Sequence, residues 1–127
     1  MSDLGEDRFY PTQVGIDAYG NGGFRFADMS HRGDIMCLPS GIHGWQAPVP
    51  EALDETALAK VFTEAEAIEI LIVGTGRNLV PLAAALRTRL RGVGIVAEPM
   101  ATGAAVRTFN VLLAEDRAVA AALIAVD

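Results

Sequence analysis

Two short apolar runs do most to limit what this chain can become. "AIEILIVG" (67–74) and "VGIVAEP" (93–99) are each bounded by turn residues and too short for a buried helix. Each therefore reads as a strand covered on both faces. Between them Leu79, Leu82, Ala83, Leu86 and Leu90 recur at helical spacing, and Gly92 closes the helix. Arg87, Arg89 and Arg91 stand where the negative end of that helix favours cations. Strand, helix, strand is the unit of an α/β domain with a mainly parallel sheet.

The flanking segments extend this unit. "QVGIDAYGNGGFRFAD" (13–28) alternates, with Val14, Ile16 and Ala18 before a Gly20-Asn21-Gly22-Gly23 turn and Phe24 and Phe26 after it, which predicts an N-terminal β-hairpin. "GDIMCLP" (33–39) is a third strand covered on both faces, and "SGIHGWQAPVPEAL" (40–53), rich in Gly and Pro, is expected to be a loop. Asp54 is placed to cap a helix over about 55–65, and Thr102 one over about 103–114. "AVAAALIAV" (118–126) stays open between helix and strand, because alanine favours one and a short apolar run the other. Residues 1–12 read as a loose leader, and 13–127 as a single three-layer α/β domain with a central mixed, mainly parallel sheet and flanking helices.

At 127 residues the chain is long enough to bury a core without staples. Its one cysteine, Cys37, can form no intrachain disulfide. Ten basic against sixteen acidic side chains, a net charge of -6, oppose a nucleic-acid partner. No run is long enough for a transmembrane segment, and no signal or transit peptide is recognisable, so a bacterial, cytoplasmic type of domain is expected.

The stretch "LIVGTGRN" (71–78) raises the main chemical question. A glycine turn between strand and helix lets backbone N–H groups approach an anion, and Arg77 can add a bidentate clamp. Gly74, Thr75, Gly76, Arg77 and Asn78 are therefore candidate ligand-binding residues. Glu98, Thr102 and Arg107 join them at the neighbouring strand end, where α/β sheets place their binding crevices. The plainer alternative is a turn in which Asn78 caps the helix and Pro81 occupies its first turn. The dinucleotide fingerprint fails at Leu79, and the P-loop lysine is absent, so no cofactor is expected. His31, Cys37 and His43 match no zinc spacing and no metal is expected. No Gly-x-Ser-x-Gly serine or placeable Cys–His pair offers a catalytic residue. Trp45 is either a partner-binding anchor or a lid on the core.

The segments "GDIMCLPSGIHGWQ", "EILIVGTG" and "TGAAVRTFNVLLAEDRAVAAALIAV" resemble the mitochondrial complex I assembly factor 3 family and its bacterial homologues, a domain family of unknown function. The resemblance covers about residues 10–127. Its specific parts are Gly74-Thr75-Gly76 and the spaced Thr102, Ala105, Thr108, Asn110, Glu115 and Arg117. It implies a three-layer domain whose last strand is antiparallel, which makes 118–126 a strand. It also implies a non-enzymatic protein-interaction module, with an assembly factor or respiratory-complex subunits as protein partners. A small-anion or nucleotide-binding protein using the 74–78 turn, and a homo-oligomer pairing through apolar faces, are the other expectations.

Overall fold

The structure, a computed structural model, describes residues 8–127. Its central sheet has six strands: β1 (Arg8–Tyr10), β5 (Asp34–Leu38), β6 (Gly41–Trp45), β7 (Ile70–Gly74), β8 (Val96–Met100) and β9 (Val119–Leu123). Their spatial order is β1-β6-β5-β9-β7-β8. A second sheet holds β2 (Ala18–Gly20), β3 (Gly23–Phe26) and β4 (Met29–Arg32) in sequence order. Helices α1 (Ala59–Thr63), α2 (Ala84–Gly92) and α3 (Thr102–Ala114), with short 3-10 turns at Pro50–Ala52 and Ala65–Ala67, complete the described elements. This is the expected three-layer α/β fold with a mixed sheet. β9, β7 and β8 form its parallel core, and β1, β6 and β5 add an antiparallel half. The last strand joins the halves, being antiparallel to β5 and parallel to β7.

The layers follow from the connections. From β7 the chain crosses through α2 to β8 on one side, then returns through α3 to β9 on the other side of β7. Right-handed crossovers in opposite directions put their helices on opposite faces. Leu86 and Leu90 of α2 accordingly pack with Met36, Leu38, Leu71 and Val73 on one face. Ala105, Val106 and Phe109 of α3 pack with Ile35, Cys37, Ile72 and Leu123 on the other, together with Phe24 and Phe26 of the small sheet. β9 is buried along its whole length between β5 and β7, which explains why no periodicity marks it.

The hairpin expected within 13–28 is present as β2–β3, with Asn21 and Gly22 both at positive φ in a two-residue turn. A second tight turn, Ala27-Asp28 at φ 49° and 63°, adds β4, a strand the sequence pattern did not announce. Other expectations need correction. Residues 41–45, read as loop, are β6, paired to β5 from Leu38↔Gly41 to Asp34↔Trp45. Their glycines serve close packing rather than a loop. A Cβ on Gly41 would collide with the Tyr10 carbonyl oxygen, and one on Gly44 would lie 2.7 Å from the Phe9 ring. Of the leader expected over 1–12, residues 1–7 lie outside the described residues, and 8–10 form β1 against β6. The helix expected over 55–65 is shorter. The Asp54 carboxylate accepts from the Ala57 N–H at 2.8 Å, but this holds a turn, and α1 begins at Ala59.

Candidate functional site

β7 and β8 send their chains to opposite faces of the sheet, so the space beyond their C-terminal ends is where an α/β sheet opens a crevice. The glycine turn lies there, and hydrogen bonds link it to the neighbouring strand ends. Thr75 N–H donates to the Met100 carbonyl at 2.8 Å, and Thr102 N–H to the Gly76 carbonyl at 2.8 Å. The Thr102 hydroxyl accepts from Gly76 N–H at 2.9 Å and donates to the Ile124 carbonyl at 2.7 Å. The Thr75 hydroxyl lies 2.6 Å from the Asn78 carbonyl and 3.1 Å from that of Met100, and accepts from Val80 N–H at 3.0 Å. Ile124 N–H donates to the Gly74 carbonyl at 3.0 Å. Two buried threonines thus tie the ends of β7, β8 and β9 into one knot.

Gly74 is glycine for the same reason. A Cβ there would stand 3.0 Å from both the Thr102 hydroxyl and a Leu123 methyl. Gly76, at φ 104°, reverses the chain so that its N–H meets Thr102.

The arrangement corrects the premise of the anion reading. No helix follows the turn: residues 77–83 are non-helical, and α2 starts at Ala84. Pro81 disfavours helical backbone at Val80, so a helix cannot run from the turn through it. Asn78 is therefore not a helix cap, and the macrodipole of α2 does not reach the turn. Thr102 is likewise not a cap but the first residue of α3, with its hydroxyl spent on the knot. Glu98, expected at a strand end, sits mid-strand on β8 opposite Ile72 and faces solvent. Of the eight candidate ligand residues, the structure brings together Gly74, Thr75, Gly76, Asn78 and Thr102. Arg77, Glu98 and Arg107 are exposed and join no hydrogen bond or ion pair among the described residues.

Trp45, the candidate partner anchor, is half-buried at the end of β6. It packs on the α1/α2 side of the core, and its indole N–H donates to the Ala57 carbonyl at 3.0 Å. Arg89 of the basic helix end is engaged in a bidentate pair with Glu55, at 2.8 and 3.0 Å, and lies 5.4 Å from the centre of the Phe62 ring. The hydrogen bond from Arg89 holds the Glu55 carboxyl below the usual range. Cys37 and His43 point to opposite faces of the sheet, since Met36, not Cys37, is paired with His43.

One polar cluster carried no signal in the sequence. The Ser40 hydroxyl, in the β5–β6 turn, donates to Glu64 Oε2 at 2.6 Å and lies 2.8 Å from His43 Nε2. Ser40 N–H donates to Glu64 Oε1 at 2.9 Å. The carboxylate holds the serine rather than the imidazole, so the order of a hydrolase triad is not reproduced. Glu64 lies 24 residues from Ser40, and no local pattern could have linked them.

Residues 16–124 match the family described as "Protein of unknown function (DUF498/DUF598)", and the chain belongs to it. It is 38% identical over 109 residues to an uncharacterised protein of Rhodobacter capsulatus, covering 86% of this chain and 82% of that one. It is 31% identical over 115 residues to the mouse NADH dehydrogenase [ubiquinone] 1 alpha subcomplex assembly factor 3, covering 91% of this chain and 62% of that protein. The chain thus spans about three fifths of this mitochondrial relative's length. A crystal structure described as an outer membrane protein of Bartonella henselae superposes with a TM-score of 0.88 at 56% identity, over 93% of this chain and 99% of that one. Among the described residues, no helix is long and apolar enough to cross a membrane.

Proposed function

We propose that this member of the family is a non-enzymatic protein-interaction module that works in the cytoplasm much as a respiratory complex I assembly factor does. The observation that carries the reading is its 31% identity with the mouse mitochondrial assembly factor over 91% of its own length. Its partners would be another assembly factor or subunits of a respiratory complex before they are built in. Affinity purification of the tagged chain from its own cells, after mild crosslinking, is the test. Respiratory-complex subunits or their assembly proteins should be recovered, and cell fractionation should place the chain with the cytoplasm. Repeated recovery of the chain alone would overturn the assembly role.

A further inference from the structure

We infer that the outer face of the β2–β3–β4 sheet docks an extended acidic segment of a partner protein through Arg25 and Arg32. Register defines this face. Ala18, Arg25 and Ser30 form one row across the three strands, and Gly20, Gly23 and Arg32 form the next. Each row carries one arginine and two small residues. The opposite face sends Phe24, Phe26 and Met29 into the core, so the arginine rows turn outward. A hollow of about 480 Å³ opens over them, and no aspartate or glutamate lines it. The chain has sixteen acidic residues against ten basic ones, yet Arg25 and Arg32 are exposed and unpaired among the described residues. Two like charges on adjacent strands raise each other's energy until an anion joins them.

The spacing selects the anion. Arg25 and Arg32 are diagonal neighbours, about 7–8 Å apart at their backbones. Alternate side chains of an extended segment are about 7 Å apart. Carboxylates two residues apart on such a segment can meet one guanidinium each, in the bidentate geometry arginine favours. The glycines, alanine and serine between the arginines leave a low floor along which a backbone can lie. A single small phosphate would meet charge spread over two rows, with no helix end converging on it. Nucleic acid is disfavoured by the net charge of -6.

The inference rests on the protein-interaction reading, and two measurements separate their fates. The first titrates the ¹⁵N-labelled full chain, at low salt, with an octapeptide carrying glutamate at alternate positions. Saturable shifts should gather on β2–β4, weaken at least tenfold in the double variant R25Q/R32Q, and vanish for a glutamine version of the peptide. Both side chains are exposed, so the variant should melt as the wild type does. Shifts centred elsewhere, binding unchanged in the variant, or tighter binding of inorganic pyrophosphate at the same face would each overturn the inference. The second repeats the affinity purification with the double variant. Loss of partners that the wild type retains supports the docking face. Equal recovery overturns the face and leaves the module reading standing. Peptide binding at β2–β4 with no partner recovered by the wild type supports the face and sinks the assembly role.

Discussion

At the residue scale, Thr102 carries the most weight. Its buried hydroxyl is the shared partner of Gly76 N–H and the Ile124 carbonyl, both on half-buried residues. Thr102→Val keeps the shape and removes both bonds, at roughly 0.5–1.5 kcal/mol for each. Urea denaturation should therefore give a loss of roughly 1–3 kcal/mol, with Thr102→Ser retaining most of the stability. A valine variant as stable as wild type would mean the knot is not structural. Cys37 makes a second prediction. Burial alone pushes its thiol far above the ordinary value, so the folded chain keeps a proton that the unfolded chain gives up near pH 8.5. The folded state then binds more protons, and the stability from this group is complete below that pH and declines as pH rises above it. The native thiol should also resist alkylation at pH 8.5 and react promptly in urea. Rapid native labelling would contradict the burial. Cys37 as a buried hydrophobe was legible from its apolar run. Thr102 was noticed for the wrong reason, since Ile124 and Gly76 lie 22 and 26 residues away from it.

At the element scale, strands with local turn chemistry were legible and those without it were not. Asn21-Gly22 announces the β2–β3 hairpin, because both residues accept positive φ. Ala27-Asp28 makes the same kind of turn with a residue that does not, so β4 went unseen. Left-handed backbone costs a non-glycine residue about 1–2 kcal/mol, partly offset by the greater unfolded-state freedom of glycine. Ala27→Gly should therefore raise stability by about 0.5–1 kcal/mol, read as a higher melting temperature. A lower one would show that the β3–β4 turn is not strained. β6 was hidden for the opposite reason, its glycines answering to Phe9 and Tyr10 of another strand. Pro81 keeps Val80 out of a helix, but helical periodicity beginning at Leu79 concealed the later start of α2 at Ala84.

At the scale of the whole molecule, a few polar side chains tie distant segments to the sheet. Asn110 of α3 pairs with both backbone groups of Ile16, at 2.8 and 2.9 Å, and so fastens the approach to the small sheet. Asp34, at the head of β5, accepts from Ala47 N–H at 3.0 Å and from Ala125 N–H at 2.7 Å. Hydrogen bonds to a charged group are worth about 1.5–3 kcal/mol each. Asp34→Ala should accordingly cost roughly 2–4 kcal/mol and speed hydrogen exchange at the Ala47 and Ala125 amides. Unchanged protection there would dismiss the clamp. The layered plan itself was legible, because apolar runs separated by one helical period allow little but a parallel α/β core. The sequence by itself determined the strand–helix–strand unit, the first hairpin and the two-sided burial of β5, since these depend on neighbours within a few residues. Only the tertiary structure decided that β9 is a central strand, that β6 and β1 extend the sheet, and that buried threonines tie the glycine turn to the ends of β8 and β9. Each of those outcomes turns on contacts between segments far apart in the chain, where backbone groups find partners that no local pattern encodes.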